Sequence, residues 1–297
     1  MSASCTFSKG IEVKGVVVSY DDLKILENIC VNIRKGTLVA LLGPNGCGKT
    51  TLLKTINGML KVTGGVIFVN GKSTESTDPV QMARTMGVVS QVHRSTFPFT
   101  VEDVVLTGRM PHISMFSMPA ESDFKKVGEL LEMLGIDHLR KKPYTLISGG
   151  ERQLVMIAKA LAQEPEFLLL DEPTSFLDLK NQVHVLSMVV RQTRSRNITV
   201  LMTLHDPNHA LLFADEIVLM KKIRVSNGNV GPKPGKGDAF SSDRIENIVA
   251  SGDPRSVMTP ANIKEAYGID VEVLDHNGRR LVLPISEIIE DEKRKSE

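Results

Sequence analysis

The stretch Gly43-Pro44-Asn45-Gly46-Cys47-Gly48-Lys49-Thr50 decides the fold of this chain. Its glycines let the backbone bend so that successive N–H groups can point inward at phosphate oxygens. A continuous apolar run, 38–42, precedes the stretch, and an amphipathic helical pattern, 51–60, follows it. The helix adds the positive end of its dipole to the loop. Strand, glycine-rich loop and helix in this order predict a phosphate loop of the NTPase type.

The loop and its surroundings supply the candidate nucleotide ligands. Lys49 is expected to reach the β- and γ-phosphates, and the Thr50 hydroxyl is expected to bind Mg²⁺. Tyr20, one of three tyrosines, could stack on adenine, although a core tyrosine is the alternative. The full predicted set of nucleotide-binding residues is Tyr20, Gly43, Pro44, Asn45, Gly46, Cys47, Gly48, Lys49, Thr50 and Thr51.

Composition excludes several other classes of protein. The 297 residues carry a formal net charge of +1, which gives no general attraction to nucleic acid or to an anionic membrane. No apolar run approaches the ~18–20 residues that span a bilayer. The cysteines Cys5, Cys30 and Cys47 are too few and too scattered for a disulfide framework or a zinc site. A reduced, cytosolic location is therefore expected.

Two kinds of strand pattern predict an α/β fold with a parallel core. Val- and Ile-rich runs over 11–20, 29–33 and 65–70, the last before the turn Asn70-Gly71, indicate an N-terminal antiparallel β subdomain. Bounded apolar runs at 167–170 and 198–204 are typical of parallel strands that are covered on both faces.

Helical patterns fill the space between these strands. Patterns at 101–105 and 129–134 predict a helical insertion over about 92–150. An amphipathic helix follows at 151–163, and another is expected over 178–190, between the two parallel strands.

The C-terminal third contains an insertion and a separate tail. Residues 222–247 are rich in Gly, Pro and Asn, which predicts a loop inserted in a hairpin. Residues 253–297 read as a small α/β tail, so the main domain is predicted to cover 11–252.

Two carboxylates follow the run at 167–170. Open α/β sheets bind ligands at the carboxyl ends of their strands, where Asp171 and Glu172 would lie. Asp171 could hold Mg²⁺ through its waters, and Glu172 could orient or deprotonate the attacking water. A surface acidic pair is the alternative, but the stiff turn Pro173-Thr174-Ser175 favours two fixed side chains.

Two further polar residues complete the predicted chemistry. His205 ends the run at 198–204 and could hydrogen-bond the γ-phosphate, while a purely structural histidine is equally open. Gln91 could bind Mg²⁺ or satisfy backbone groups. The predicted catalytic residues are Glu172, His205 and Lys49, and the predicted Mg²⁺ ligands are Thr50, Gln91 and Asp171.

The turn Ser148-Gly149-Gly150-Glu151 opens the helix at 151–163 and is a second candidate anion site. One ATP bound within one chain does not need both phosphate-binding turns, and an ATP shared between two copies uses both. A plain N-cap serine followed by turn glycines is the alternative.

Taken in order, Tyr20, the glycine-rich loop, Gln91, the Ser-Gly-Gly turn, Asp171-Glu172 and His205 resemble an ABC-type ATPase domain over about 11–222. The resemblance implies ATP and Mg²⁺ bound head to tail between two copies of the chain. One copy would supply the phosphate loop, and the other would supply a signature formed by Ser148, Gly149, Gly150 and Glu151. Asp178 matches the loop that couples the two sites across such a dimer.

Residues 98–112 and 250–269 are similar to the ATPases of importers for iron–siderophores, haem and vitamin B12. The resemblance implies a homodimer that drives a transmembrane permease from the cytoplasmic face of the membrane, docking it near 91–109. A substrate-binding protein would be an indirect partner, and no nucleic acid is expected. Two positions depart from the commoner signature, which has Leu for Ile147 and Gln for Glu151.

Other functions explain fewer of these motifs. A soluble ABC-type ATPase of DNA repair or translation is the main alternative, but such proteins usually carry a long coiled coil or two cassettes, and neither is present. A small-molecule kinase would explain Lys49 and Asp171 and leave Ser148-Gly149-Gly150 and His205 without a purpose.

Overall fold

The computed structural model describes residues 9–21, 23–90, 98–114, 116–175, 177–223 and 247–285. Its strands are β1 (Gly10–Tyr20), β2 (Leu23–Arg34), β3 (Leu38–Leu42), β4 (Gly64–Val69), β5 (Lys72–Ser73), β6 (Met86–Val89), β7 (Phe167–Leu170), β8 (Thr199–Thr203), β9 (Glu216–Met220), β10 (Ile248–Gly252), β11 (Val271–His276) and β12 (Arg279–Pro284). Its helices are α1 (Lys49–Ile56), α2 (Pro79–Thr85), α3 (Val101–Leu106), α4 (Glu121–Met133), α5 (Gly149–Ala162), α6 (Leu179–Arg196), α7 (Pro207–Phe213), α8 (Pro254–Val257) and α9 (Pro260–Tyr267).

The central sheet has the order β10-β9-β3-β8-β7-β6. All neighbours pair in parallel except β10, which runs antiparallel to β9 at one edge. Leu41 pairs with Thr203, and Leu170 pairs with Met202, so β3, β7 and β8 end at nearly the same level. The loops that follow these three strands therefore emerge side by side at one edge of the sheet.

The sheet is buried on both faces, as its apolar runs predict. Along β3, Leu38, Ala40 and Leu42 belong to one core cluster, while Val39 and Leu41 belong to the other. The first cluster packs the sheet against helices α3 to α6, and the second packs it against α1 and the N-terminal strands. This two-sided burial explains why β3 has no polar position.

The N-terminal strands form the predicted antiparallel sheet, in the order β2-β1-β4-β5. Asn70 and Gly71 connect β4 to β5 and both have positive φ, 49° and 78°. These values suit a type I′ hairpin turn, which explains the Asn-Gly pair in the sequence.

Helix boundaries differ from the sequence prediction in three places. Helix α1 ends at Ile56 and not near residue 60, because Gly58 adopts a left-handed conformation with φ 77° and leaves Met59 68% exposed. Helix α4 begins eight residues before the predicted 129, at Glu121, where the Asp123 carboxylate accepts the Ala120 N–H at 3.0 Å. Helix α6 continues to Arg196, with Asp178 as its N-cap.

The C-terminal part starts with a strand of the central sheet. Strands β9 and β10 form an antiparallel pair around the predicted insertion, and the Lys221 N–H donates to the Asn247 carbonyl at 2.7 Å. Residues 224–246, which make up most of that insertion, lie outside the described residues, as does the charged run after 285. The tail adds α8, α9 and the hairpin β11–β12. Among the described helices, none combines the length and apolarity that crossing a bilayer requires.

Arg109 joins the helical insertion to the end of α5. Its side chain is buried and donates to the Asp123 carboxylate at 2.9 Å, to the Ala162 carbonyl at 2.7 Å and to Glu164 at 3.1 Å. The hydrogen bond from Arg109 holds the pKa of Asp123 below its usual range. Arg109 is therefore a structural residue, and the docking of a permease near 91–109 stays a prediction.

We expect Arg109→Ala to lower the free energy of unfolding by about 3 kcal/mol, because it leaves the Asp123 carboxylate without its buried cation. Chemical denaturation measures this loss. Lys126→Ala is the matched control, since it removes a more exposed ion pair to Glu164 that is worth at most about 1 kcal/mol. Equal losses in the two variants would contradict the structural role of Arg109.

Candidate active site at the edge of the sheet

The loop between β3 and α1 has the geometry of a phosphate cradle. Gly43 and Gly48 have φ of 149° and 103°. A Cβ at Gly43 would lie 2.4 Å from the Met220 carbonyl oxygen, and one at Gly48 would lie 2.5 Å from Leu26 Cδ2. Both positions therefore require glycine. Helix α1 begins at Lys49, directly after the loop, so its N-terminal end faces the space that the loop encloses.

Lys49 is held inside this loop. Its buried ammonium donates to the Gly43 carbonyl at 2.7 Å and to the Pro44 carbonyl at 3.2 Å. An ammonium has three N–H donors, so one remains for a phosphate oxygen when two are used by the loop. The two carbonyls thus fix the position of the Lys49 ammonium, which keeps its positive charge and one N–H donor for a phosphate.

Thr50 at the start of α1, Asp171 after β7 and Thr203 at the end of β8 are joined by hydrogen bonds. The Asp171 carboxylate oxygen Oδ1 accepts the Thr50 hydroxyl at 3.1 Å and the Thr203 hydroxyl at 3.0 Å. Carboxylate and hydroxyl oxygens are the hard donors that suit Mg²⁺, which usually keeps several waters and also binds substrate phosphates. The residues present therefore fit this ion, which would neutralise phosphate charge when bound.

Glu172 is fixed by its backbone and by two side chains. Its φ of 51° is unusual for a residue other than glycine, and its N–H donates to the Thr203 hydroxyl at 2.7 Å. The Ser175 hydroxyl donates to Oε2 at 2.7 Å, and His205 Nε2 lies 2.7 Å from Oε1. Such a left-handed conformation carries about 1–3 kcal/mol of strain and is found mainly at functional sites.

The charge state of Glu172 follows from these contacts. Partial burial raises the pKa of the carboxyl, but the hydrogen bonds from His205 and Ser175 outweigh it, and the net shift is downward. Glu172 is therefore an ionised carboxylate at neutral pH and can accept a proton or a water hydrogen bond.

The phosphate loop and two of the candidate catalytic side chains share one cavity of about 660 Å³. It is lined by Asn45, Gly46, Glu172 and His205, among others.

Tyr20 ends β1 with an exposed ring, which leaves a face available for stacking. Cys47 is buried, and burial raises the pKa of its thiol, so it stays protonated. Thr51 lies in α1, and Gln91 lies outside the described residues.

The Ser-Gly-Gly turn lies in a different part of the molecule. Ser148, Gly150 and Glu151 line a second cavity, which no residue of the phosphate loop lines. Ser148 caps α5: its hydroxyl accepts the Glu151 N–H at 3.3 Å, while the Glu151 carboxylate accepts the Ser148 N–H at 2.7 Å. This reciprocal capping box fixes Ser148 and Glu151 at the start of α5, where the helix dipole favours an anion.

Asp178 is linked to this turn through a neighbouring amide. The Asp178 carboxylate accepts the Asn181 N–H at 2.8 Å and the Asn181 side-chain amide at 3.0 Å. A Cβ at Gly150 would lie 3.3 Å from Asn181 Cγ, so the amide packs directly against the turn. A displacement of Asp178 would therefore displace Asn181, which packs against Gly150.

Sequence reasoning missed Thr203 and Asn181. Thr203 is completely buried and connects Asp171 to Glu172, and its signal is a hydroxyl inside an apolar strand. Asn181 has no comparable signal, because Asn in the first turn of a helix is common on protein surfaces.

Comparisons with known proteins show the family to which the chain belongs. A family model described as ABC transporter matches residues 26–175. The iron(3+)-hydroxamate import ATP-binding protein of Bacillus subtilis (strain 168) is 33% identical over 277 residues, 93% of this chain and 94% of the relative. The chain belongs to the ABC transporter family. Like the other ATP-binding subunits of that family, it is an ATPase, and Mg²⁺ is the associated ion.

Two solved structures share the fold of this ABC ATPase. A transporter described as of the metal-chelate type, in an inward-facing conformation, has a TM-score of 0.77 and 29% identity, covering 95% of this chain and all of that one. A dimeric ATP-binding cassette in a post-hydrolysis state, bound to ADP and Pi, has a TM-score of 0.61 and 28% identity. It covers 70% of this chain and 93% of its own.

We expect Glu172→Gln to reduce kcat for ATP hydrolysis by at least about a hundredfold, because an amide cannot accept the proton of the attacking water. Binding of MgATP should be retained. Glu166→Gln is the control at the opposite end of β7, where Glu166 pairs with Lys35, and it should leave kcat unchanged. Normal turnover by Glu172→Gln would contradict the catalytic role predicted for this residue.

A second prediction concerns the charge of Glu151 in this ABC ATPase. The Ser148 N–H lowers the pKa of the Glu151 carboxyl, so a full negative charge lies in the first turn of α5, beside the candidate phosphate site. Glu151→Gln keeps the capping hydrogen bond and removes that charge. We expect ATP-dependent dimerisation to tighten by roughly two- to tenfold, in line with helix-terminus charge effects.

Sedimentation in the Glu172→Gln background measures this change. The exposed Glu132→Gln on α4 is the charge-matched control. Unchanged or weaker dimerisation of the Glu151→Gln chain would show that its charge does not oppose the phosphate.

Proposed function

We propose that this chain is the ATP-hydrolysing subunit of an importer, acting as a head-to-tail homodimer on a separate transmembrane permease. ATP and Mg²⁺ bind Lys49, Thr50 and Asp171 of one copy, with Gln91 as a further Mg²⁺ ligand. The signature turn of the other copy, with Ser148 and Gly150, meets the γ-phosphate. Glu172 is the base for the attacking water, and His205 holds that water and the phosphate.

One observation carries the dimeric part of this proposal. The phosphate loop and the signature turn of one chain line separate cavities, although both have the character of phosphate-binding turns. A single triphosphate in one chain would therefore leave one turn unused. A two-fold axis that brings the loop of one copy against the turn of its twin uses both, and ATP then binds the two copies together.

Exposed apolar side chains in the helical insertion support a membrane partner. Phe116 is 96% exposed and Met118 is 87% exposed, and Phe99 and Met110 lie nearby in sequence with exposed side chains. A contiguous patch of exposed apolar side chains is typical of a surface that another protein covers, and the proposal is that these residues form one. The proposed docking surface comprises these four residues.

The proposed substrate is a metal chelate such as a ferric siderophore, haem or cobalamin. The B. subtilis relative is named for iron(3+)-hydroxamate import, and the transporter with the TM-score of 0.77 is described as of the metal-chelate type. The chain would act at the cytoplasmic face of the membrane, and a substrate-binding protein would be an indirect partner.

A strain that lacks this chain tests the importer proposal. We expect the loss to abolish ATP-dependent uptake of one of three probes: a ⁵⁵Fe-labelled ferric hydroxamate, haem or ⁵⁷Co-cobalamin. The wild-type chain should restore uptake, and the Glu172→Gln chain should not. Unchanged uptake of all three chelates would overturn the proposed substrate class.

A double substitution tests the proposed docking surface separately from the catalytic site. Phe116→Asp/Met118→Asp should abolish uptake and leave ATP hydrolysis by the purified chain intact, because both side chains are exposed and far in sequence from the catalytic residues. Lys125→Asp, a substitution on exposed α4, is the control for added negative charge. Full uptake with the double variant would show that the permease docks elsewhere.

A further inference from the structure

Asn247 has a buried side chain that makes three hydrogen bonds to backbone groups of two other segments. It is the first described residue after segment 224–246, it lies beyond the family match at 26–175, and its exposed fraction is 0%. Its Oδ1 accepts the Glu27 N–H at 2.7 Å. Its Nδ2 donates to the Ile25 carbonyl at 3.0 Å and to the Cys47 carbonyl at 3.2 Å. Only a carboxamide offers one acceptor and two donors in this arrangement.

The third of these hydrogen bonds reaches the phosphate loop. The Cys47 carbonyl and the Gly48 N–H belong to the same planar trans peptide, so they point in opposite directions. Asn247 holds the carbonyl on the side that faces β2. The Gly48 N–H therefore points away from Asn247.

The first two hydrogen bonds connect Asn247 to β2, which is the wall behind the loop. A Cβ at Gly48 would lie 2.5 Å from Leu26 Cδ2 and 3.3 Å from the Ile25 carbonyl oxygen. The loop thus lies directly against Ile25 and Leu26 of β2. The buried amide of Asn247 connects the loop, at Cys47, to this strand, at Ile25. Because the amide is shielded from water, its loss would leave backbone groups without partners and release the Cys47–Gly48 peptide.

We propose that Asn247 is a positioning residue of the nucleotide site, which fixes the Cys47–Gly48 peptide so that the Gly48 N–H meets a phosphate of the bound nucleotide. The inference rests on the proposed assignment of residues 43–50 to the nucleotide. Through Asn247, which directly precedes β10, a segment beyond the motifs before residue 210 would help to position the phosphate loop.

The test uses MgADP, which needs only the phosphate loop of one copy, and the full-length chain in calorimetric titrations. We expect Asn247→Ala to weaken MgADP binding by about tenfold, the effect of one lost buried hydrogen bond on an aligned donor. Asn262→Ala is the matched control, because that amide also donates to a buried backbone carbonyl, that of Val257 at 2.8 Å, but lies in α9. Both variants should melt below the wild-type chain, and only Asn247→Ala should bind MgADP less tightly.

Asn247→Asp provides a second readout and serves if the alanine variant does not fold. A carboxylate keeps the acceptor for Glu27 N–H but cannot donate to Cys47, whereas a protonated carboxyl regains one donor. The loss of MgADP affinity relative to wild type should therefore shrink as the pH falls from 8 to about 5.5, across the titration range of a buried carboxyl. If Asn247 only stabilises the fold, the ratio of the MgADP affinities of Asn247→Asp and wild type should stay constant across this pH range.

The proposal is overturned if the folded Asn247 variants bind MgADP within about twofold of wild type, or if Asn262→Ala weakens binding equally. It is also overturned if the affinity ratio of Asn247→Asp does not change with pH. The Lys49→Ala variant distinguishes failure of the Asn247 proposal from failure of the nucleotide-site assignment. If Lys49→Ala also binds MgADP normally, residues 43–50 do not form the nucleotide site.

Discussion

The common level at which β3, β7 and β8 end is the constraint on which the rest of the site depends. Backbone register places Leu41 opposite Thr203 and Leu170 opposite Met202, so three connecting loops start within hydrogen-bonding distance of one another. The Asp171 carboxylate then contacts hydroxyls that belong to α1 and to β8. A shift of one strand by one residue would turn Asp171 or Thr203 to the other face of the sheet. The apolar packing on both faces prevents that shift.

The sequence carried enough information to predict the fold class and the positions of the carboxylates. Continuous apolar strands, a glycine loop before a helix, and polar residues directly after strands are local patterns, and the structure has each where the pattern predicts it. The assignment of individual roles to Glu172, His205 and Ser148 stays a prediction. What the structure adds is contact between distant segments, such as Ser175 and His205 on the two oxygens of Glu172.

Features that depend on distant contacts could not be predicted. Thr203 and Asn247 act through single hydrogen bonds to segments that are far away in the chain, and no periodicity marks such bonds. Arg109 is a further example, because no local pattern indicates that this basic side chain is buried against Asp123. Helix ends were also uncertain, since Gly58 ends α1 while its apolar pattern continues to residue 60.

The hairpin β9–β10 restricts how the chain can be altered between residues 223 and 247. Lys222 passes close to Gly46, since a Cβ on that glycine would lie 3.2 Å from Lys222 Cε, and Asn247 contacts Cys47 from the other strand. Met220 and Ile248 form the adjoining pair. Splicing a fluorescent tag or an epitope into this connection would preserve the enzyme only if both strands kept their alignment. An insertion that shifted β10 by one residue would place Ile248 at the buried position that the Asn247 amide occupies.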